Sequence, residues 1–376
     1  MKEKRYMSRQ KHKRIIISGG GTGGHVFPAI SIANALKRIN QDIEILFVGA
    51  EDRMEMEMVP AAGYRITGLP VAGFRRGLYF RNISVFIKLV RSLFLARTII
   101  KDFKPDVAVG VGGYASGPLL WQAGRMKIPT LIQEQNSYAG ITNKLLAKKA
   151  SAICVAYDGM EKYFPEQKII KTGNPVRQSY ENLENLRSEA LTFFKFRNNS
   201  PVILVLGGSL GAGTINKSMA DNLHKIISSD CQWLWQTGKE YYDKVKAMIS
   251  LEAGKCVSVH DFIHRMDYAY AAADIIVSRA GAGTISELCL VGKPVILVPS
   301  RNVAEDHQTK NALALTYKNA ALLVRDDDAV KHLIDTVIRL VSNKDERELL
   351  SANIKGLAER DADVRIAREV LKLTER

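Results

Sequence analysis

Residues 19–28 read Gly19-Gly20-Gly21-Thr22-Gly23-Gly24-His25-Val26-Phe27-Pro28 and follow a short apolar run, Arg14 to Ser18 (RIIIS). Five glycines in six positions leave almost no side chain between a predicted strand and a helix expected after Pro28. Glycine lets the backbone turn with positive φ and lets a ligand reach the main chain. The N–H groups at a helix start, at the positive end of its dipole, hold anions or sugar and phosphate oxygens. His25 stands where this loop opens. A titratable base beside an anion site points to chemistry as well as binding.

Outward from that loop, short apolar runs alternate with helical patterns. The first series of predicted strands is RIIIS (14–18), IEILFVG (43–49), VAVGVG (107–112), PTLIQE (129–134) and AICVA (152–156). The second is PVILVLG (201–207), QWLWQTG (232–238), VSVHDFI (257–263), DIIVSRA (274–280) and PVILVPS (294–300). Near-continuous apolar strands separated by helices indicate parallel sheets covered on both faces. Gly173-Asn174-Pro175 and the polar stretch 179–200 separate the two series. The predicted organisation is therefore an N-terminal Rossmann-like domain (1–176), a C-terminal one (177–353) and an amphipathic helix (354–376). That helix is expected to pack back on the N-terminal domain. Each half carries glycine turns after strands: 19–24 and 110–117 in the first, 207–213 and 278–287 in the second. Ligands of open parallel sheets bind beyond the carboxyl ends of the strands. The expected fold class is α/β, with two Rossmann-like parallel-sheet domains facing a cleft.

A chain of 376 residues is long for one core and suits two domains. Its 46% hydrophobic and 25% charged content is that of an ordinary soluble protein. Lys and Arg number 54 against 39 Asp and Glu, a net charge of +15. Nucleic acid, an anionic membrane or phosphorylated substrates would each suit that charge. No zinc spacing, RNA-binding aromatic signature or long basic tract favours nucleic acid. Cys154, Cys231, Cys256 and Cys289 are scattered, as expected of free thiols in a reducing cytosol. The N-terminal MKEKRYMSRQKHKR lacks the apolar region of a signal peptide. No apolar run reaches the roughly 18 to 20 residues of a membrane span.

Three motif readings compete. Gly19 to Gly24 satisfies the dinucleotide fingerprint, with Glu44 about 20 residues further on. His25 would crowd a nicotinamide pyrophosphate there, and the fold is reused too freely for the fingerprint to decide. Gly207-Gly208-Ser209-Leu210-Gly211 satisfies GxSxG, but His260, His264 and His307 follow no recognisable acid in the order a hydrolase needs. Ser209 is better read as a hydroxyl holding a phosphate at a helix start. No lysine follows either loop where a Walker A motif requires one. In the turn Ala282-Gly283-Thr284-Ile285-Ser286-Glu287, the acid is expected in the first turn of a helix. It either caps that helix or accepts hydrogen bonds from a ribose diol.

Taken in order, GGTGGHVFP, GVGGYASGP (110–118), EQNSYAGITNK (134–144), GNPVR (173–177), GGSLGA (207–212), AGAGTISEL (280–288) and AEDHQTKNA (304–312) resemble one family. It is the MurG family, the UDP-N-acetylglucosamine transferases of peptidoglycan synthesis. The resemblance runs from about Arg14 to the C-terminal helix, and seven ordered motifs make it specific. It implies the GT-B architecture and inverting transfer of N-acetylglucosamine from UDP-GlcNAc to the 4-hydroxyl of the muramyl sugar of lipid I, giving lipid II. It also implies peripheral attachment to the cytoplasmic face of the bacterial inner membrane. The family's donor-binding positions fall on Thr22, Gly23, Gly24, Asn136, Arg177, Ser209, Ile263, Ala282, Gly283, Thr284, Ile285, Ser286, Glu287 and Gln308. Many relatives have His-Glu-Gln-Asn where this chain has Gln133-Glu134-Gln135-Asn136, which leaves His25 or Glu134 as the catalytic base.

The chemistry implied is loss of UDP, so the enzyme must neutralise a growing diphosphate charge and deprotonate a hydroxyl. Asp326-Asp327-Asp328 and Asp361-Ala362-Asp363 read as solvated charge rather than as metal ligands. Helix N-termini and Arg177 can replace a metal, and no cofactor is expected. The expected partners are UDP-GlcNAc, lipid I and an anionic membrane surface, without nucleic acid. Residues 73–100 are apolar and basic with no acid. At helical spacing Arg81, Ser84, Lys88, Arg91 and Ser92 share one face, with Val85, Ile87, Leu89, Phe94 and Leu95 mostly off it. That is either a core-facing helix with a solvated basic side or a surface drawn to anionic lipid. A nucleotide-sugar epimerase, or a non-catalytic protein binding a lipid carrier, remains the alternative.

Overall fold

The computed structural model describes residues 12–72, 79–176, 180, 182–208, 211–250, 253–301 and 306–375. The chain folds as two compact units, Met1–Val176 with Asp361–Arg376, and Arg177–Arg360. In the first unit seven parallel strands form one sheet: β1 (Arg14–Ser18), β2 (Glu44–Ala50), β3 (Arg65–Leu69), β4 (Val107–Gly110), β5 (Thr130–Glu134), β6 (Ala152–Val155) and β7 (Ile169–Lys171). Their order is β3-β2-β1-β4-β5-β6-β7. The second unit has β8 (Val202–Leu206), β9 (Gln232–Gln236), β10 (Val257–His260), β11 (Ile275–Ser278), β12 (Val295–Leu297) and β13 (Leu322–Leu323), ordered β10-β9-β8-β11-β12-β13. Both sheets reverse direction of winding at one point, between β1 and β4 and between β8 and β11. Each of the four glycine turns leaves the carboxyl end of one of these four strands. A switch point of this kind is where open parallel sheets take ligands.

The predicted strands all form: β1 spans its predicted residues, β2 is shifted by one residue, and the others are shorter than predicted. Three strands escaped prediction. β3, β7 and β13 lie at sheet edges and are half-exposed over most of their length. A strand buried on neither face needs no continuous apolar run, so its sequence lacks the signal.

Helices cover both faces of each sheet. In the first unit these are α1 (Gly23–Ile39), α2 (Glu55–Ala61), α3 (Tyr79–Phe103), α4 (Ser116–Arg125) and α5 (Ile141–Ala147). The second contains α6 (Leu183–Phe193), α7 (Gly213–Asp221), α8 (Leu223–Ser228), α9 (Lys239–Met248), α10 (Met266–Ala272), α11 (Ala282–Val291), α12 (His307–Thr316), α13 (Ala329–Ser342) and α14 (Lys344–Gly356). α15 (Ala362–Leu373) returns to the first unit.

The single helix expected over 354–376 is in fact two. α14 closes at Gly356, and Asp361 takes left-handed backbone with φ of 55° before α15 begins. Aspartate tolerates that region better than most residues. Ile354 belongs to the core of the second unit, whereas Ile366, Ala367, Val370 and Leu373 pack with Ile15, Ile17 and Val107 of the first. Asp363, buried, pairs with Arg38 of α1 at 2.5 Å. It is therefore not the solvated charge expected of it.

α3 also departs from expectation. Ser92 is buried and donates to the Lys88 carbonyl, while Phe86, Ile87 and Phe94 are 61%, 61% and 69% exposed. Val85, Ser92, Ala96 and Ile100 form the face turned to the core. The basic stretch 73–78 lies outside the described residues.

Candidate active site

The first glycine loop is shorter than predicted, because α1 begins at Gly23 and takes Pro28 inside it. Pro28 is the sixth residue of α1, past the first turn, so its missing N–H forgoes one intrahelical hydrogen bond. The Thr22 carbonyl accepts from the His25 and Val26 N–H groups at 3.0 and 3.1 Å, closing the first turn. His25 Nδ1 lies 3.2 Å from the Gly20 carbonyl oxygen and 3.3 Å from Thr22 Oγ1. A carbonyl can only accept, so Nδ1 carries the proton and Nε2 carries the lone pair that a general base uses.

The turn after β4 meets this loop at backbone distance. Gly112 and Gly113 have φ of +97° and +86°. A Cβ at Gly112 would come within 2.8 Å of the His25 ring, and one at Gly113 within 2.3 Å of the Gly20 carbonyl. Only glycine permits this approach.

Beneath the loop lies a carboxylate that sequence reasoning missed. Glu55, fully buried at the start of α2, accepts from Gly21 N–H and Ala50 N–H, both at 2.9 Å. In sequence it looks like an ordinary acid in the first turn of a helix, and nothing local marks it as the floor of the loop. The Gly21 N–H thus points inward, to protein rather than ligand.

At the end of β5, Glu134, weighed as the catalytic base, proves to be fixed. Glu134 is 2% exposed. Its Oε1 accepts from the N–H and side-chain amide of Asn136 at 3.0 and 3.3 Å, and its Oε2 from Gly140 N–H and Asn143 Nδ2 at 3.0 and 2.8 Å. Four donors fill the carboxylate, so it shapes the 135–140 loop and presents Asn136. Gln133 is wholly buried and donates to Asn174 Oδ1 at 3.1 Å. Gln135 donates to the Val111 carbonyl at 2.7 Å and to Gln133, and Asn174 donates back to the Gln135 carbonyl at 3.0 Å. This amide network joins the β4 and β5 turns.

In the second unit the 207–213 loop leads into α7. Gly211 has φ of +86°, and a Cβ there would come within 2.3 Å of the Thr237 carbonyl. Arg177 and Ser209 lie outside the described residues. Ile263 is 4% exposed and its N–H donates to Gln236 Oε1 at 2.9 Å, leaving the carbonyl as its polar group for a ligand. The Ala282–Ser286 segment forms the first turns of α11 after an extended Gly281, and the space around Gly283 is open. Ile285 is a core residue at 2% exposure, so any ligand contact from it is through backbone. Glu287 is the sixth residue of α11, beyond the first turn, which removes the capping reading. It accepts from the Tyr270 hydroxyl at 3.4 Å. Burial, with the Glu287 charge second, pushes the Tyr270 phenol well above its usual value. Gln308 Oε1 accepts from Ser300 N–H at 2.9 Å, which leaves its amide nitrogen as a donor.

Within the Asp326-Asp327-Asp328 run, Asp327 and Asp328 are exposed as expected of solvated charge, but Asp326 is not. Asp326, 16% exposed, pairs with Arg279 at the end of β11 and accepts from Thr214 of α7 at 3.0 Å. One acid thereby ties the two glycine turns of this unit together.

Comparison with known proteins now decides the family. The glycosyltransferase family 28 N-terminal domain matches residues 15–155, and the family's C-terminal domain matches residues 202–366. The chain belongs to glycosyltransferase family 28. Two relatives, from Parabacteroides distasonis and Phocaeicola vulgatus, are 59% and 60% identical. They cover 96% and 98% of this chain and 99% and 98% of their own length. Both are named UDP-N-acetylglucosamine–N-acetylmuramyl-(pentapeptide) pyrophosphoryl-undecaprenol N-acetylglucosamine transferase. Among solved structures, MurG of Acinetobacter baumannii is similar with a TM-score of 0.76 and 26% identity over 96% of this chain and 99% of that one. This glycosyltransferase therefore has the two Rossmann-like domains of the GT-B architecture, as its sequence led one to expect.

Proposed function

We propose that this glycosyltransferase moves N-acetylglucosamine from UDP-GlcNAc to the 4-hydroxyl of the muramyl sugar of lipid I, with inversion, forming lipid II. The observation that carries the reading is identity near 60%, over almost the full length, to proteins named for that transfer. In a single displacement the acceptor oxygen bonds to the anomeric carbon as the bond from that carbon to UDP breaks, and the hydroxyl proton passes to a base. His25 is assigned that role: its Nδ1–H is held by the Gly20 carbonyl, so Nε2 can accept the proton. Glu134, with four donors already on its carboxylate, positions Asn136 instead.

The departing diphosphate is met by the 207–213 loop with Ser209, by the N-terminal turns of α11 and by Arg177. Glu287 holds the ribose diol and the Ile263 main chain the uracil. Gln308 and Asn136 serve the sugar hydroxyls, and Thr22, Gly23 and Gly24 complete the donor set.

The acceptor is lipid-linked, and the chain is assigned to the cytoplasmic face of the inner membrane as a peripheral protein. Among the described residues no helix is long and apolar enough to cross a membrane. α3 supports a surface attachment, since Phe86, Ile87 and Phe94 are exposed beside the exposed cations Lys88 and Arg91. Apolar side chains among basic ones are what an anionic lipid surface binds.

A transfer assay with UDP-GlcNAc and a lipid I analogue, with and without chelator, tests the reading. Product formed equally in both arms is the expected result. Conversion of UDP-GlcNAc alone, with no need of the acceptor, would make the chain an epimerase instead. Loss of transfer with chelator would replace the proposed helix-terminus and arginine stabilisation with a metal.

A further inference from the structure

We propose that Gln236 is a positioning residue of the donor site: one buried amide sets the spacing between the loop assigned to the diphosphate and the segment assigned to the uracil. The inference rests on the donor-site reading above and goes beyond it, because Gln236 belongs to neither loop.

Gln236 is the last residue of β9 and is 3% exposed. β9 lies between β8 and β10, and Gln236 is in register with Leu206 on one side and His260 on the other. Those two strands lead into the 207–213 loop and the 261–263 segment. The Gln236 amide bonds to both. Its Nε2 donates to the Gly208 carbonyl at 3.2 Å, and its Oε1 accepts from Ile263 N–H at 2.9 Å. A carbonyl only accepts and an N–H only donates, so the partners themselves fix the orientation of the amide. Gly208 sits at φ of +83°, a left-handed conformation that glycine adopts without strain.

The next residue braces the same place. The Thr237 carbonyl accepts from Asn216 Nδ2 of α7 at 2.9 Å, and Trp235 Nε1 donates to Asn216 Oδ1 at 2.9 Å. The end of β9 is thus the fixed post to which both recognition segments are tied.

Glutamine supplies a donor and an acceptor at once at any pH, whereas a carboxyl of this length does so only when protonated. An ionised glutamate keeps the arm to Ile263 and loses the one to Gly208, while methionine loses both. Misplacement of binding groups by an ångström is enough to cost a large part of their effect. The chemistry assigned to the two arms differs, so the variants should fail differently.

The test measures calorimetric affinity for UDP and for CDP with wild type, Gln236→Glu and Gln236→Met, each checked for folding by circular dichroism and thermal midpoint. Wild type is expected to prefer UDP. Gln236→Glu should weaken UDP and CDP alike by about tenfold and keep their ratio, because the diphosphate loop alone is released. Gln236→Met should weaken UDP at least tenfold and CDP less, so that the preference shrinks. In steady state both should raise the KM for UDP-GlcNAc with kcat within about twofold.

Folded variants with an unchanged UDP-to-CDP ratio in Gln236→Met, or with unchanged KM, would overturn the proposal. So would a lowered thermal midpoint with normal nucleotide affinity, which would leave Gln236 a packing role only. Should Gln236→Met not fold, Gln236→Asn, too short to span both loops, carries the same expectation. Wild type binding neither nucleotide would instead refute the donor-site reading, and this inference with it.

Discussion

His25 carries the most chemistry per residue in this reading, and replacing it is the sharpest test. His25→Ala should lower kcat by about 10² to 10⁴, the usual range for an acid–base group, with donor affinity little changed. A near-normal kcat in single-turnover measurements would move the role elsewhere. Glu287→Gln should weaken UDP binding by calorimetry and weaken 2′-deoxy-UDP much less; equal losses would leave Glu287 only as the partner of Tyr270. A third residue governs stability rather than turnover. Burial lowers the pKa of His260 below its usual value near 6.5, with Asp261 opposing, and Ser258 Oγ lies 2.9 Å from its Nε2. The folded state thus binds its proton less readily than the unfolded chain. The stabilisation is complete above the unfolded value and is lost as pH falls below it. His260→Gln, which removes the titration, should flatten the fall of thermal midpoint as pH drops below about 6.5.

At the scale of elements, α15 shows why a terminal helix can be integral to a domain far from it in sequence. Ile366, Ala367, Val370 and Leu373 fill the core beside β1 and β4, and Asp363 meets Arg38. Ile366→Ala should cost about 2 to 5 kcal/mol in denaturant unfolding, the range for truncating a buried isoleucine. Asp363→Asn should cost less, about 1 kcal/mol, since Arg38 is 47% exposed and water screens the pair. A cost for Ile366→Ala below that for Asp363→Asn would mean that the charge pair, not the apolar face, seats this helix.

For the whole molecule, the +15 net charge and the exposed apolar face of α3 act together. Replacing Lys88 and Arg91 with glutamine should cost about 2 kcal/mol of binding to anionic vesicles at low salt, at about 1 kcal/mol per charge. Replacing Phe86, Ile87 and Phe94 with serine should remove the part of binding that resists salt. Both changes should spare transfer to a short-chain soluble acceptor. Sedimentation with vesicles that ignores salt and these substitutions would leave the charge to be explained by phosphates alone.

Much of this protein could be read from its sequence, for physical reasons that are local. Strands buried on both faces must be apolar throughout, so β1, β4, β8 and β11 announced themselves, and the glycines that follow them mark close backbone approach. The edge strands β3, β7 and β13 carried no such signal, and the break at 357–360 was hidden inside a continuous helical pattern. What the folded chain alone decided is where each polar group spends its hydrogen bonds. Glu134, Asp326 and Asp363 read as a base and as solvated acids, yet each is engaged by partners distant in sequence or brought close by a loop. Glu55 and Gln236 read as nothing in particular, yet one is the floor of the first glycine loop and the other links Gly208 to Ile263, two segments of the proposed donor site. Residue type sets what a side chain can donate or accept, but its partners come from strands that meet only when the sheet closes around its switch point.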